Sequence, residues 1–320
     1  MERLVECVPN FSEGRRPAVI DALVERLSEA PGVQLLDRTS DPDHNRSVLT
    51  LAGRPESVSA AMEALVEEAL ARIDMERHSG QHPRIGAVDV IPFVPLGEMA
   101  MDECVGLARD FGRRIAERFE LPVYLYAQAA QRAERVILAD IRRPQYEGLK
   151  ELIGMAEHRP DFGPPRLHPT GGAVAVGARP FLIAYNINLE SEDVELAKQI
   201  AKAVRERSGG LPRVQALGLY LDDLRCAQVS MNLLDHRVTP IWRVWQEVGA
   251  RAAEAGVEVR ESELIGLCPL AALLEVADYA GVPAADDETR IRAAAEWARI
   301  RDFEPTMALE LRLATFAGER

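Results

Sequence analysis

The sequence predicts an α+β fold of two ferredoxin-like subdomains, with antiparallel or mixed sheets that carry their helices on one face. The element order β-α-β-β-α-β occurs in the first third, recurs from residue 181, and alternates short β-type runs with helical periods. A prior of about 150 residues per domain also divides a chain of 320 residues into two. We expect residues 1–178 and 179–320 to be the N-terminal and C-terminal subdomains.

The elements of the first subdomain follow from its apolar periodicity. In the first helix Val19, Leu23 and Leu27 recur at four-residue steps, which places them on one helix face. Pro17 suits the first turn of that helix, and Pro31-Gly32 ends it. In chain order we predict a strand at 4–8, a helix at 17–30, strands at 33–36 and 47–51, a helix at 55–73, a strand at 87–94, helices at 104–119 and 145–155, and between these two a strand at 123–126.

A proline- and glycine-rich segment, residues 156–172, separates the two repeats of this order. Its 17 residues lack periodicity, which inside a compact protein indicates a functional loop or a linker. The repeat is one of element order and not of residue identity. Its predicted elements are a strand at 181–189, a helix at 194–204, strands at 214–221 and 227–234, a helix at 241–252, a strand at 257–259, and further helix in 262–320.

Two strands of the second subdomain alternate apolar residues with uncharged polar ones. Asn186 and Asn188 share one strand face, and Gln228, Ser230 and Asn232 share a face of the hairpin partner. One interpretation is a solvated sheet face. The other is a ligand-binding face, because amides have low β-propensity and offer donors and acceptors to a flat heterocycle.

Composition excludes several classes of function. The formal charge of −13 argues against neutralising nucleic-acid phosphates, so an anion would need a local basic patch. Four widely spaced cysteines form neither a zinc motif nor a disulfide framework, which suits a reducing compartment. We expect a cytoplasmic protein with no secretory signal and no membrane span, because the longest nearly apolar stretch, 85–96, is too short for a bilayer.

His82 is the candidate for proton transfer. It lies between Gly80 and Gly86, in the connection from a helix to a buried strand, and Pro83 stiffens this segment. Imidazole can take and return a proton near neutral pH. The alternative is a loop histidine that only bonds a backbone carbonyl. His78 lies four residues away on a loop and not on one helix face, so we expect no metal site.

Six runs of residues resemble the formiminotransferase family. They occur in the family's order and cover most of the chain, thinning after about residue 280. The resemblance implies transfer of a formimino group from N-formimino-L-glutamate to N5 of tetrahydrofolate in histidine degradation, with tetrahydrofolate as co-substrate, no metal, and a homodimer. In animals this domain is fused to a cyclodeaminase, an activity that we expect to be absent here. The matching runs are Glu6–Gly14, Gln81–Phe93, Pro122–Tyr126, Pro160–Pro164, Phe181–Leu189 and Ala227–Leu234.

The resemblance also assigns residues. His82 matches the family's catalytic histidine. We expect Arg46 and Arg84 to bind the glutamate carboxylates, because a guanidinium fork matches a carboxylate, although either could be an ordinary surface arginine. The family's folate-lining stretch falls on Gly163, Pro164, Pro165, Arg166, Leu167, His168, Pro169, Thr170, Gly171 and Gly172. The polar strand face described above adds Asn186, Asn188, Gln228 and Asn232 as predicted folate-binding residues.

Two other functions stay open at the level of sequence. A glutamate formyltransferase would use N-formylglutamate as the donor, and sequence cannot separate =NH from =O at one atom. A non-catalytic folate-binding protein would bind the same ligand without turnover. An intact segment around His82 argues against the second alternative.

Overall fold

The computed structural model describes residues 3–318, and the described chain divides after Pro180 into two compact units. We number the elements in chain order. The first unit contains β1 (Arg3–Cys7), β2 (Asn10–Phe11), α1 (Pro17–Ser28), β3 (Val33–Asp41), β4 (Arg46–Gly53), α2 (Pro55–Arg72), β5 (Val88–Gly97), α3 (Met101–Phe119), β6 (Val123–Ala127), α4 (Leu138–Arg142), α5 (Gln145–Leu152) and β7 (Val174–Ala178). The second contains β8 (Ile183–Leu189), α6 (Val194–Val204), β9 (Val214–Leu221), β10 (Cys226–Leu233), α7 (Ile241–Glu254), β11 (Val259–Ile265), α8 (Leu270–Tyr279), α9 (Asp287–Trp297) and α10 (Leu309–Gly318).

The sheet of the first unit contains the predicted ferredoxin-like order. Strand β1 pairs antiparallel with β4 and β5, and β3 pairs antiparallel with β4, which gives the order β5-β1-β4-β3. The short strand β2 also pairs with β4 and β5. Strands β7 and β6 then extend the sheet, parallel to β5. The prediction of an α+β fold is confirmed, and the sheet is mixed.

The core of the first unit lies where α1, α2 and α3 pack on the sheet. Leu23 and Leu65 are fully buried there, as the helical periodicity predicts. Phe93 of β5 and Phe111 of α3 meet edge to face, with ring centroids 5.3 Å apart. A second apolar cluster, which includes Leu149 of α5, covers the strands β6 and β7 from their other side.

The second unit repeats the order with four antiparallel strands, β11-β8-β10-β9. Tyr185 and Ile187 of β8 are fully buried among the residues of α6 and α7. The register pairs Gln228 with Asn188 and Ser230 with Asn186. Because paired residues point to the same side of a sheet, the polar side chains share one face, as predicted.

Three strand predictions differ from the structure. Strands β3 and β4 are longer than the strands predicted at 33–36 and 47–51, so only a tight turn at 42–45 separates them. Strand β7 was not predicted, because its small residues are buried on both faces and show no alternation. Strand β11 was predicted at 257–259 and instead runs to Ile265, so the helix prediction is wrong at 262–265, where residues alternate with period two.

Among the helices within residues 3–318, none combines the length and the apolar character that crossing a bilayer requires. The four cysteines are free and buried. Because all four thiols are buried, none of them is an exposed reactive thiol in this structure.

Candidate active site

The segment that carries His82 lies against the turn between β3 and β4. A Cβ on Gly80 would overlap the carbonyl oxygen of His44, so only glycine permits this close approach. The backbone N–H of Gln81 donates to the carbonyl of Asp43 over 3.3 Å. The imidazole of His82 is partly buried beside that of His44, with ring centroids 5.9 Å apart.

Asn45 connects three segments around this turn. Its φ of +50° is a left-handed conformation that asparagine tolerates better than most residues. Its Oδ1 accepts from the N–H of Gly14 at 2.9 Å, and its Nδ2 donates to the carbonyl of Ser79 at 2.9 Å. Nε2 of His78 bonds its carbonyl at 3.0 Å. These bonds hold the β2–α1 connection and the His82 segment to one turn.

One small pocket forms where these segments meet. Its lining combines histidine side chains, among them His82, with charged side chains that come from separate strands. The residues that line it are Phe11, Ser12, His44, Asn45, Arg46, His78, His82, Arg84 and Asp89. Within residues 3–318, no group of three or more His, Cys, Asp or Glu side chains comes together to hold a metal ion.

Arg46 supplies a cation to this pocket, and no carboxylate of residues 3–318 is bonded to it. Its guanidinium donates to Oδ1 of Asn10, with Nε at 2.8 Å. Burial, and next the charge of Arg142, lower the pKa of Arg46 to about 10, while Asp89 opposes this shift. Arg46 stays charged at neutral pH, and it lines the same pocket as His82.

Asp89 and Arg142 form an ion pair beside Arg46. The carboxylate of Asp89 is almost fully buried, and its Oδ2 accepts from the terminal nitrogen of Arg142 at the end of α4. Its Oδ1 accepts from the backbone N–H of Ile85 at 2.8 Å. Asp89 thus bonds both the backbone that leads from His82 into β5 and the guanidinium of Arg142, which is 53 positions away in sequence.

His82 is neutral at physiological pH. Burial is the largest cause that lowers its pKa, to about 3, and the charges of Arg46 and Arg142 are the next two. A neutral imidazole has a nitrogen lone pair that can accept a proton. An imidazolium formed there faces two guanidinium groups, so it would release the proton readily.

Arg84 is buried and already bonded. Its terminal nitrogens contact the carboxylate of Glu147 at 2.5 and 2.8 Å, and its Nε donates to Nδ1 of His78 at 3.1 Å. The Glu147 side chain is 65% exposed. Binding of a substrate carboxylate by Arg84, as the sequence predicts, would therefore have to displace Glu147.

The end of the predicted folate-binding loop runs beside the His82 segment. The N–H of Ala87 donates to the carbonyl of Gly171, and the N–H of Ala173 donates to the carbonyl of Ile85, each over 2.9 Å. Gly172 has a φ of +70°, and a Cβ there would overlap the carbonyl oxygen of Ile85. Two regions predicted for different substrates are thus adjacent in the first unit.

The rest of this loop is less buried. Gly163, with a φ of +85°, packs against the carbonyl of Leu121. Arg166 is exposed and pairs with Glu120 at 2.7 Å. Nδ1 of His168 accepts from the N–H of Gly171 at 2.9 Å, so this histidine shapes the turn 168–172. Pro164, Leu167 and Thr170 are partly buried, whereas Pro165 and Pro169 are exposed.

The amide face of the second unit carries a hydrogen-bonded network. Asn188 and Gln228 are buried, and Nε2 of Gln228 donates to Oδ1 of Asn188 at 2.8 Å. Nδ2 of Asn188 donates to Glu261 at 3.1 Å, and Arg301 pairs with Glu261 at 2.8 Å. A solvated face therefore does not describe the two buried amides. Asn186 and Asn232 are partly exposed.

Several residues of these sites were missed by sequence reasoning. Asp89 carried a signal, since a carboxylate interrupts an otherwise apolar predicted strand. Arg142 carried none, because its short helix has no clear period and its partner is distant in sequence. Glu261 lies between the strand predicted at 257–259 and the helix predicted over 262–320, and Arg301 lies within that helical stretch, so neither was expected beside the amide face.

Comparison with known proteins gives one consistent result along the chain. Two family models match, described as "Formiminotransferase domain, N-terminal subdomain" at residues 4–179 and "Formiminotransferase domain" at residues 184–303. A glutamate formimidoyltransferase of Streptococcus pyogenes serotype M1 is 44% identical over 279 residues, covering 87% of this chain and 93% of that protein. One from Thermoplasma acidophilum is 48% identical over 278 residues, covering 86% and 91%. The formimidoyltransferase-cyclodeaminase of Sus scrofa is 48% identical over 285 residues, covering 87% of this chain and 52% of that protein.

Proposed function

The chain belongs to the formiminotransferase family, and on that premise we propose that it transfers the formimino group of N-formimino-L-glutamate to N5 of tetrahydrofolate. The products are 5-formiminotetrahydrofolate and L-glutamate, and the reaction belongs to histidine degradation and one-carbon metabolism. The observation that carries the proposal is the 44% and 48% identity, over most of both chains, to two glutamate formimidoyltransferases. The neutral His82 beside a cationic pocket supports it independently.

His82 is the proposed general base and acid. The lone pair of N5 attacks the formimino carbon, the π pair of the C=N bond moves to the imino nitrogen, and His82 removes the N5 proton as positive charge grows there. The C=N bond then re-forms as the bond from the carbon to the glutamate nitrogen breaks, and the imidazolium returns its proton to the leaving amine. The low pKa of His82 favours that return. General acid–base help of this kind contributes about 10² to 10⁴ in rate.

Local cations bind the anionic donor in a protein of net charge −13. Arg46 is the proposed first carboxylate partner, because its guanidinium bonds only a neutral amide among the described residues. Arg84 is the proposed second partner, provided that the exposed Glu147 moves aside. The two arginines of the pocket thus differ before the donor binds: Arg46 has no carboxylate partner among the described residues, whereas Arg84 is paired with Glu147.

Tetrahydrofolate is the proposed co-substrate, bound by the loop Gly163–Gly172 and by Asn186, Asn188, Gln228 and Asn232. Support for the loop is its backbone pairing with Ile85–Ala87, directly after the His82 segment. Support for the amides is their shared face and the burial of Asn188 and Gln228. No metal takes part in the proposed reaction. We further propose a homodimer in the cytoplasm, where buried free thiols stay reduced.

A transferase assay with two donors tests this function. The purified chain is incubated with tetrahydrofolate and either N-formimino-L-glutamate or N-formylglutamate, and folate products are followed by absorbance. We expect rapid turnover with N-formimino-L-glutamate and none with N-formylglutamate. Preference for N-formylglutamate would instead identify a formyltransferase, and folate binding without turnover of either donor would identify a binding protein.

A further inference from the structure

Arg142 places an unused hydrogen-bond donor beside Asp89, one of the residues that line the His82 pocket. Its side chain is only 13% exposed, and one terminal nitrogen bonds Asp89. Its Nε is buried and has no hydrogen-bond partner among residues 3–318. A buried guanidinium N–H that stays unpaired is costly, because it has lost its water without gaining an acceptor.

The charges around this donor do not balance. Two guanidinium groups, those of Arg46 and Arg142, lie close enough to influence each other, and Asp89 is the buried carboxylate beside them. The carboxylate of Asp41 also acts on Arg46, but it is about half exposed and pairs with His44. Arg84 is excluded from this comparison because Glu147 already neutralises it. The remaining excess positive charge, in a chain of −13, favours an anion at this position.

We propose that Arg142 is a binding residue for a carboxylate of the one-carbon donor, acting together with Arg46. The Nε–H of Arg142 donates to that carboxylate, while its terminal nitrogen keeps the bond to Asp89. Arg46 faces the same carboxylate from β4. This assignment rests on the proposed function, since the donor is a glutamate derivative.

A purely structural role is the competing explanation. In that case Arg142 only fixes Asp89, which in turn holds the backbone of Ile85 after the His82 segment. Loss of Arg142 would then lower stability and affect both substrates alike. A binding role predicts instead a loss confined to the donor and to L-glutamate, its product.

The test measures binding of L-glutamate and of tetrahydrofolate by calorimetry, together with KM for each substrate. Arg142→Gln removes the charge, and Arg142→Lys keeps a cation for Asp89 but lacks the Nε donor. We expect L-glutamate to bind about 10- to 100-fold more weakly to Arg142→Gln, as for loss of a charge-assisted hydrogen bond. Arg142→Lys should lose about fivefold or more, with affinity for tetrahydrofolate unchanged in both variants.

Arg143→Gln is the matched control. This neighbour is 78% exposed and pairs with Asp140, so its loss should leave both affinities unchanged. If Arg142→Gln does not fold, Arg142→Lys decides the question through its affinity for L-glutamate and its melting temperature. Wild-type affinity for L-glutamate in a folded Arg142→Lys, or equal losses for both ligands, would overturn the proposal.

The outcome also separates this inference from the proposed function. Wild-type protein that binds L-glutamate through Arg142 but transfers no group would contradict the function and leave the binding role supported. Wild-type protein that transfers the group, with an unchanged donor KM in both Arg142 variants, would contradict only the inference. Absence of L-glutamate binding by the wild type would overturn the inference directly.

Discussion

At the residue scale, His82 owes its protonation state to its position. Burial and the charges of Arg46 and Arg142 all favour the neutral imidazole. A free histidine has a pKa of about 6.5, so half of it would be protonated near that pH. The pocket keeps the imidazole neutral at pH 7, so a ring nitrogen has a lone pair that can accept a proton.

The same shift predicts a pH dependence of stability. The unfolded chain protonates His82 near pH 6.5, whereas the folded chain does so near its pKa of about 3. The unfolded state therefore binds more protons between these values, and stability falls as the pH drops through that window. Urea unfolding at pH 7 and pH 5 should show a larger loss for the wild type than for His82→Gln. Equal losses would contradict the shifted pKa.

At the scale of elements, two other segments bond the backbone that connects His82 to β5. Asp89 bonds the N–H of Ile85 from within β5, and the loop end at Gly171 pairs with Ala87. This double attachment sets the direction in which the segment leaves α2. Geometry at His82 thus depends on backbone contacts that its own sequence does not contain.

Gly172→Ala tests that attachment. Gly172 has a φ of +70°, and an added Cβ would overlap the carbonyl oxygen of Ile85. We expect a loss of about 1–3 kcal/mol in the free energy of unfolding, measured by chemical denaturation, and slower turnover. Gly154→Ala is the control, because a Cβ there meets nothing within 4 Å. A Gly172→Ala variant as stable as Gly154→Ala would show that the contact is not tight.

The amide strands β8 and β10 carry the next prediction. Asn232→Leu is the cleaner probe, because Asn232 is partly exposed, whereas Asn188→Leu also leaves Gln228 and Glu261 short of a partner. If these amides bind folate, each change costs about 1–3 kcal/mol, or roughly 5- to 150-fold in affinity. Gln199→Leu, at an exposed position of α6, which packs on the apolar face of the sheet, should not change it. Unchanged affinity in both asparagine variants would contradict this part of the site.

Sequence reasoning succeeded where a signal is local. The stripe of Val19, Leu23 and Leu27 and the alternation of β8 each reflect one buried face, so periodicity reveals them. It failed for β7, whose residues are buried on both faces and therefore lack a period. It also missed the pairing of Asp89 with Arg142, because a contact across 53 residues exists only after the chain has folded.

At the scale of the whole molecule, the two units share one topology and carry different chemistry. The first unit contains the His82 pocket with its cations, and the second contains the amide and carboxylate network around Asn188. Two units with the same strand order thus carry different polar side chains. Function follows from those side chains, since ferredoxin-like topology alone hosts many activities.

The proposed homodimer gives a prediction at this scale. Sedimentation equilibrium at several concentrations should give a mass of about twice the chain's 35.3 kDa. The lowest concentration serves as the control for weak, nonspecific association. A mass of one chain across the whole series would contradict the dimer and leave the chemistry of the His82 pocket unaffected.

The most direct test of the account is single-turnover transfer by His82→Ala. With the enzyme in excess over N-formimino-L-glutamate and with saturating tetrahydrofolate, we expect the rate of formation of 5-formiminotetrahydrofolate to fall at least about 100-fold. Tetrahydrofolate affinity and melting temperature should stay close to wild type, and His158→Ala, outside the pocket lining, should keep its rate. Transfer by His82→Ala within threefold of wild type would contradict the central role of His82.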